Sequence, residues 1–196
     1  MKAYYEARAP EYDDWWNGTG SFSERDRPGF AEERDAVLER LEQLAPARTL
    51  DVACGTGFVT RHLPGAITGV DQSATSLRLA AERLPQAHLV LADVPPLPFP
   101  AGSFERVFSS HFYGHLEEPA RLAFLAEARR VAPELVLLDA SIAHSPVPVE
   151  WQPRVLNDGS RWEVYKRYFS PESLRAELGG GEQFFAGHWF VAVRAP

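Results

Sequence analysis

The stretch Asp51-Val52-Ala53-Cys54-Gly55-Thr56-Gly57 constrains the fold of this chain more than any other. It follows the apolar run Thr49-Leu50 and precedes Phe58 to Leu63, which reads as a helix stopped by Pro64-Gly65. An acid ends a strand, and two glycines then turn the backbone toward a helix. Glycine lacks a Cβ, so such a turn bends tightly and its backbone can lie close to a ligand. N–H groups exposed at the helix start would favour a polar or anionic ligand group. Two further acids close apolar runs: Asp71 after Ile67-Thr68-Gly69-Val70, and Asp93 after Leu89-Val90-Leu91-Ala92. In an open α/β sheet, ligands bind beyond the carboxyl ends of the strands. Three such ends marked by acids describe an adenosine-containing ligand with positive charge or N–H and O–H donors.

The remaining elements fit this sheet. Helical spacing places Val37, Leu38, Leu41 and Leu44 on one face of a segment over 30–45. Strands are expected at 47–53, 66–71, 88–92, 104–110 and 134–140. Between them lie a helix capped at Ser73, with Ser76 as the other candidate cap, and a helix over 119–131. The run at 134–140 is almost wholly apolar, as in a parallel strand buried on both faces. From Ser141 to Tyr168 the alternation breaks. Asn157-Asp158-Gly159 is a turn signal and predicts a hairpin. Ser170-Pro171 opens a further helix that ends at Gly179-Gly180-Gly181, and strands at 182–186 and 189–194 follow. The expected fold is α/β, Rossmann-like and doubly wound: a seven-stranded, mostly parallel sheet with an antiparallel last strand and helices on both faces. One domain is expected over 1–196. Residues 1–30 would be an N-terminal cap or lid, or an aromatic segment packed on the sheet. Residues 144–169 would be an inserted hairpin or flap.

The motifs resemble the class I S-adenosylmethionine-dependent methyltransferases, of the small-molecule methyltransferase domain 11 type. That family's first motif is an acid followed by alternating glycines, read here as Asp51, Ala53, Gly55 and Gly57, with alanine at the first glycine. Its second is the acid of Gly69-Val70-Asp71-Gln72-Ser73. Its third is Leu91-Ala92-Asp93, followed by Leu97-Pro98-Phe99-Pro100 and Ser103-Phe104, with Glu105 where the family usually has Asp. The resemblance implies S-adenosylmethionine as cofactor, S-adenosylhomocysteine as product, and methyl transfer to a small-molecule acceptor by in-line displacement. It implies that Gly55 and Gly57 line the amino-acid part, with Asp51 accepting from its ammonium. Asp71 would accept from the ribose hydroxyls and Asp93 from the adenine amino group. Gln72 and Val94 would flank the adenine. Ser110 and His111 would approach the methionine part, and Tyr12 belongs to the cap that covers the cofactor. On this reading the Asp71 side chain faces the ligand, and Asp71→Ala would leave the fold nearly intact.

Other readings are open at this point. A non-catalytic S-adenosylmethionine-binding module would carry the same acids. An NAD-dependent oxidoreductase needs a third glycine three residues after Gly57, where Thr60 stands. A phosphate-binding loop needs Gly-Lys-Ser/Thr, which is absent. His111 and His115 are four apart, but no further cluster supports a metal, and no residue is a compelling catalytic base. The insertion mixes Arg154, Arg161, Lys166 and Arg167 with Trp151, Trp162, Tyr165 and Tyr168, which suits a small acidic or aromatic substrate or a solvated hairpin. The formal net charge of −7 argues against a nucleic-acid surface. No run of eighteen apolar residues suggests a membrane span. The single cysteine, Cys54, reads as a packing residue. A cytoplasmic monomer or homodimer is expected.

Overall fold

The computed structural model describes residues 1–196. The chain begins with α1 (Lys2–Arg8) and the short α2 (Asp14–Asn17), then α3 (Phe30–Glu42). The sheet elements follow: β1 (Ala47–Val52), β2 (Gly65–Asp71), α4 (Ala74–Arg83), β3 (His88–Leu91), β4 (Arg106–Ser110), α5 (Glu118–Val131) and β5 (Glu134–Ala140). Next come β6 (Val149–Val155), β7 (Arg161–Arg167), α6 (Pro171–Glu177), β8 (Glu182–Ala186) and β9 (Phe190–Ala195). Seven strands form one sheet in the order β3-β2-β1-β4-β5-β9-β8. β9 runs antiparallel to both of its neighbours, and the other pairings are parallel. The order reverses between β1 and β4, so their carboxyl ends open a crevice at the switch point.

β5 shows why its sequence is apolar throughout. Side chains alternate between the two faces of a strand. Leu135 and Leu137 enter the core that holds Phe124 and Val131 of α5 and Leu174 of α6. Val136 and Leu138 enter the opposite core with Val37, Leu38 and Leu41 of α3. Helix starts follow their capping chemistry. The Ser73 hydroxyl accepts from Ser76 N, so Ser73 is the cap of α4. Ser170 and Ser173 form a reciprocal capping box at α6, with Pro171 at its first position.

One element differs from expectation. Phe58 to Leu63 is not an α-helix, and only Thr60–His62 forms a single 3₁₀ turn. Gly57, at φ 73°, and Pro64 bound the segment, and Leu63 is held extended (φ −88°, ψ 125°) ahead of the proline, which disfavours the helical region for the residue before it. No helix N-terminus therefore stands at the glycine turn.

The N-terminal segment is part of the core. Trp16 is fully buried, stacked between Phe58 and Phe190 at centroid distances of 5.3 and 5.6 Å. Tyr4 forms a small separate core with Leu156 and Val164 of the hairpin. Glu11 accepts from Asn157 N at 2.7 Å, tying the hairpin turn to the N-terminal segment. β6 and β7 form their own two-stranded sheet, anchored where Lys166 Nζ donates to Asp139 Oδ1 at 2.8 Å. Asp139 also accepts from Gly114 N and Ala140 N. Burial would raise the Asp139 carboxyl, but Lys166 and the nearby histidines hold it below its ordinary value.

Removing one partner of a buried pair strands the other charge. Lys166→Met should cost about 3–5 kcal/mol in denaturant unfolding. A loss below about 1 kcal/mol would show that the pair does not anchor the hairpin.

Candidate functional site

The crevice is built from the glycine turn upward. Asp51 sits on β1 directly opposite Phe108 of β4, at the switch point. It is 2% exposed, and its Oδ2 accepts from Thr60 Oγ1 at 2.6 Å. Its Oδ1 is buried without a hydrogen-bond partner. Burial pushes the carboxyl up to about 7, with Thr60 opposing the rise and Asp71 adding to it.

Asp71, at the end of β2, accepts from Gly55 N at 2.9 Å through one oxygen and from Ser73 N at 2.8 Å through the other. Burial raises it, against the lowering by those N–H groups. The carboxylate therefore braces the turn as well as facing the crevice. Asp71→Ala would orphan the buried N–H of Ser73 and the half-buried N–H of Gly55, which counts against the expectation of an undisturbed fold. The N–H of Gly55 is committed to Asp71, and that of Gly57 to Cys54 O at 3.0 Å.

The remaining sequence-predicted residues divide into several environments. Ala53 has φ 60°, a left-handed conformation that costs a residue with a Cβ about 1–2 kcal/mol. The alanine is accommodated, but not without strain. Gly55 has open space: a Cβ there would meet nothing nearer than Tyr12 Cε1 at 3.9 Å. Gly57 does not, because a Cβ there would lie 2.8 Å from Leu84 Cδ1. The side of Gly57 that would carry a Cβ thus packs against Leu84 and Ala80. Gln72 and Val94 are half-buried, with Val94 packed on the main core. Asp93 is exposed and pairs with Lys2 Nζ at 3.3 Å, so α1 reaches over the end of β3.

Ser110 and His111 lie beyond β4. Ser110 Oγ and His111 Nδ1 are 3.0 Å apart. His111 has φ 53°, and its ring packs edge-on against Trp15, Trp16 and Phe190. Its Nε2 is buried with no partner. Burial depresses both His111 and His115 to about 3, so both rings are neutral at pH 7.

A cavity of about 530 Å³ adjoins the crevice and shares Tyr12 and His111 with it. Its walls come from the N-terminal segment (Tyr5, Arg8, Arg25) and from the hairpin (Glu150, Arg154, Lys166), among others. Several residues that shape this region were missed by sequence reasoning. Asp13 accepts from Thr56 Oγ1 at 2.5 Å and from Arg83 Nη2 at 2.6 Å, and Arg83 also donates to Thr56 O. This network clamps the N-terminal segment onto the glycine turn. Glu6 accepts from Thr75 N and Thr75 Oγ1. Local spacing carries no signal for contacts across so many residues. Thr60 was read only as a missing glycine, yet it is the partner of Asp51.

Residues 50–134 match the methyltransferase domain family. The chain is 33% identical over 103 residues to the demethylmenaquinone methyltransferase of Thermotoga maritima, a match covering 50% of this chain and 44% of that protein. The chain thus spans less than half the length of that curated relative. Two solved structures of DhpI align over nearly the whole chain. The DhpI–SAH complex has a TM-score of 0.75 at 26% identity, covering 98% of this chain and 93% of DhpI. The DhpI–SAM–HEP complex has a TM-score of 0.77 at 25% identity, covering 99% and 95%. Residues 50–134 thus carry a methyltransferase domain, and the whole chain shares the fold of S-adenosylmethionine-dependent methyltransferases. No helix is long and apolar enough to cross a membrane.

The buried acid has a consequence for stability. A carboxyl raised from 3.8 to about 7 holds its proton more tightly when folded. Its contribution to stability is full below the unfolded value and is lost as pH climbs through about 7. Asp51→Asn should therefore raise the melting temperature at pH 8 by at least about 2–4 °C and much less at pH 4, near the unfolded value. Equal effects at the two pH values would show that Asp51 is ionised throughout.

Proposed function

We propose that the protein binds S-adenosylmethionine in the crevice at the ends of β1, β2 and β4 and catalyses transfer of its methyl group to a small molecule held in the adjoining cavity. One observation carries the reading: the buried, unpartnered Oδ1 of Asp51 at the switch point. A buried lone pair on a carboxylate is costly without a donor, and the ammonium of the cofactor's amino-acid part is such a donor. The open space beside Gly55 accommodates backbone-close contact, and Asp71 retains lone pairs for ribose hydroxyls. These residues fit the cofactor.

When bound, S-adenosylmethionine supplies an activated methyl group on a sulfonium. The chain's own residues orient and exclude water. Asp51 would hold the amino-acid part of the cofactor and Asp71 its ribose against the strand ends. Tyr12, Trp15 and His111 stand between crevice and cavity, so an acceptor in the cavity meets the methyl group across an apolar, water-poor boundary. Residues 1–30 and 144–169 act together as the cover of this site. Tyr4 packs with Leu156 and Val164, and Glu11 binds the hairpin turn, which supports a joint cover rather than two separate flaps. Because Trp16 lies in the core between the sheet and α3, removing residues 1–20 would test stability before it tested turnover.

The Asp51 ionisation gives a pH test. The carboxyl must be ionised to receive the ammonium, and it is pushed up to about 7 in the folded chain. Affinity for S-adenosylhomocysteine by calorimetry should rise about tenfold from pH 6 to pH 8, and Asp51→Asn should flatten that rise and weaken binding. No binding at any pH would remove the proposed function. Binding with no pH dependence would remove the role given to Asp51.

A further inference from the structure

The cavity beside the crevice has an unusual charge distribution. Arg8, Arg25, Arg27, Arg154 and Lys166 line it, against two acids, Asp26 and Glu150. Lys166 is committed to Asp139. The four arginines are not neutralised in this way. Arg8, Arg25 and Arg27 gather around one buried ring, Phe22, with guanidinium carbons 5.7, 4.4 and 5.9 Å from its centroid. Arg8 has only a loose approach to Glu11 at 3.9 Å, and Glu11 is already engaged by Asn157 N. Arg27 donates to the Trp15 carbonyl, a neutral partner. Arg154 reaches in from β6 and bonds only the neutral Gln152, and its Nε is buried with no partner. Burial lowers Arg154, and the positive charges of Arg8 and Arg25 lower it further. Glu150 offers little compensation, since one of its oxygens already accepts from Tyr168 Oη and Gln152 Nε2.

Like charges drawn together in a half-desolvated cavity repel one another, and an anion relieves the repulsion. The guanidinium fork is suited to carboxylate and phosphate oxygens. Resting on the methyl-transfer reading above, we infer that the acceptor is a small oxyanion, held by Arg8, Arg25, Arg27 and Arg154 and methylated on an oxygen. The anionic oxygen forms the new O–C bond with its own lone pair as the methyl carbon's bond to sulfur breaks. The electron pair of that bond stays on sulfur, so the sulfonium becomes a neutral thioether and the acceptor loses one negative charge as an ester. No proton moves. That balance suits a cavity whose three histidines, His111, His115 and His144, are all held below their ordinary basicity by burial. The four arginines lie outside residues 50–134, so acceptor choice resides in the N-terminal segment and the hairpin.

Trp15 and Trp189 line the cavity, so tryptophan fluorescence of the full chain reports its occupancy. Succinate and propyl phosphate are titrated, with and without saturating S-adenosylhomocysteine, beside the neutral succinamide. At least one anion should bind roughly tenfold more tightly than succinamide, and the tighter one identifies a carboxylate or a phosphate acceptor. Arg154→Gln should weaken anion binding roughly tenfold, and Arg25→Gln, at an exposed position that leaves the core untouched, by about threefold. Affinity for S-adenosylhomocysteine should stay within about twofold in both variants. Succinamide binding as well as the anions, neither anion binding, or anion affinity unchanged in both variants would overturn the inference. Anion binding by a chain that fails to bind S-adenosylhomocysteine would instead overturn the methyl-transfer reading and, with it, the acceptor role of the anion.

Discussion

The carboxylate of Asp71 accepts the N–H of Gly55 through one oxygen and that of Ser73 through the other, and the geometry of the crevice depends on this double contact. It joins the glycine turn after β1 to the start of α4 after β2. Both N–H groups lie at chain reversals, where backbone donors have no strand or helix partner of their own. Satisfying them with one buried acid stiffens the crevice floor. It also leaves the acid with lone pairs toward the ligand side. The turn can then hold Ala53 in a left-handed conformation, because its neighbours over-determine its position.

Charge is distributed unequally about this floor. On the crevice side, Asp51 and Asp71 are buried acids whose carboxyls burial pushes upward. On the cavity side, arginines from two distant parts of the chain face one another with few acids between them. His111, Trp15 and Tyr12 form the boundary between the two regions. A cationic donor and an anionic acceptor would each find the field they need, and their opposite charges would meet only at the boundary. The low dielectric of that boundary makes the electrostatic sorting stronger than it would be in water.

Much of the scaffold was legible in the sequence because the relevant signals are local. The apolar run of β5, the Ser73 and Ser170 caps and the Asn157-Asp158-Gly159 turn each act over a few residues, and each formed as expected. The segment after Gly57 departs from its helical reading because the residue before Pro64 is held extended. At Gly57, Leu84 and Ala80 occupy the space a side chain would need, a packing demand that the motif does not express. Asp93 was placed correctly at a strand end, but its exposure and its pairing with Lys2 depend on where α1 docks.

The sequence by itself determined the order of strands and helices and the positions of Asp51 and Asp71 at strand ends, since these follow from hydrophobic period and turn chemistry. Only the tertiary structure decided that Asp13, Thr56 and Arg83 clamp the N-terminal segment, and that Tyr4 shares a core with Leu156 and Val164. It alone gathered Arg8, Arg25, Arg27 and Arg154 around one cavity. Such contacts join residues up to about 150 positions apart, as in the bond from Asn157 N to Glu11. They arise when the N-terminal segment and the hairpin pack against the sheet and each other, so no local pattern records them.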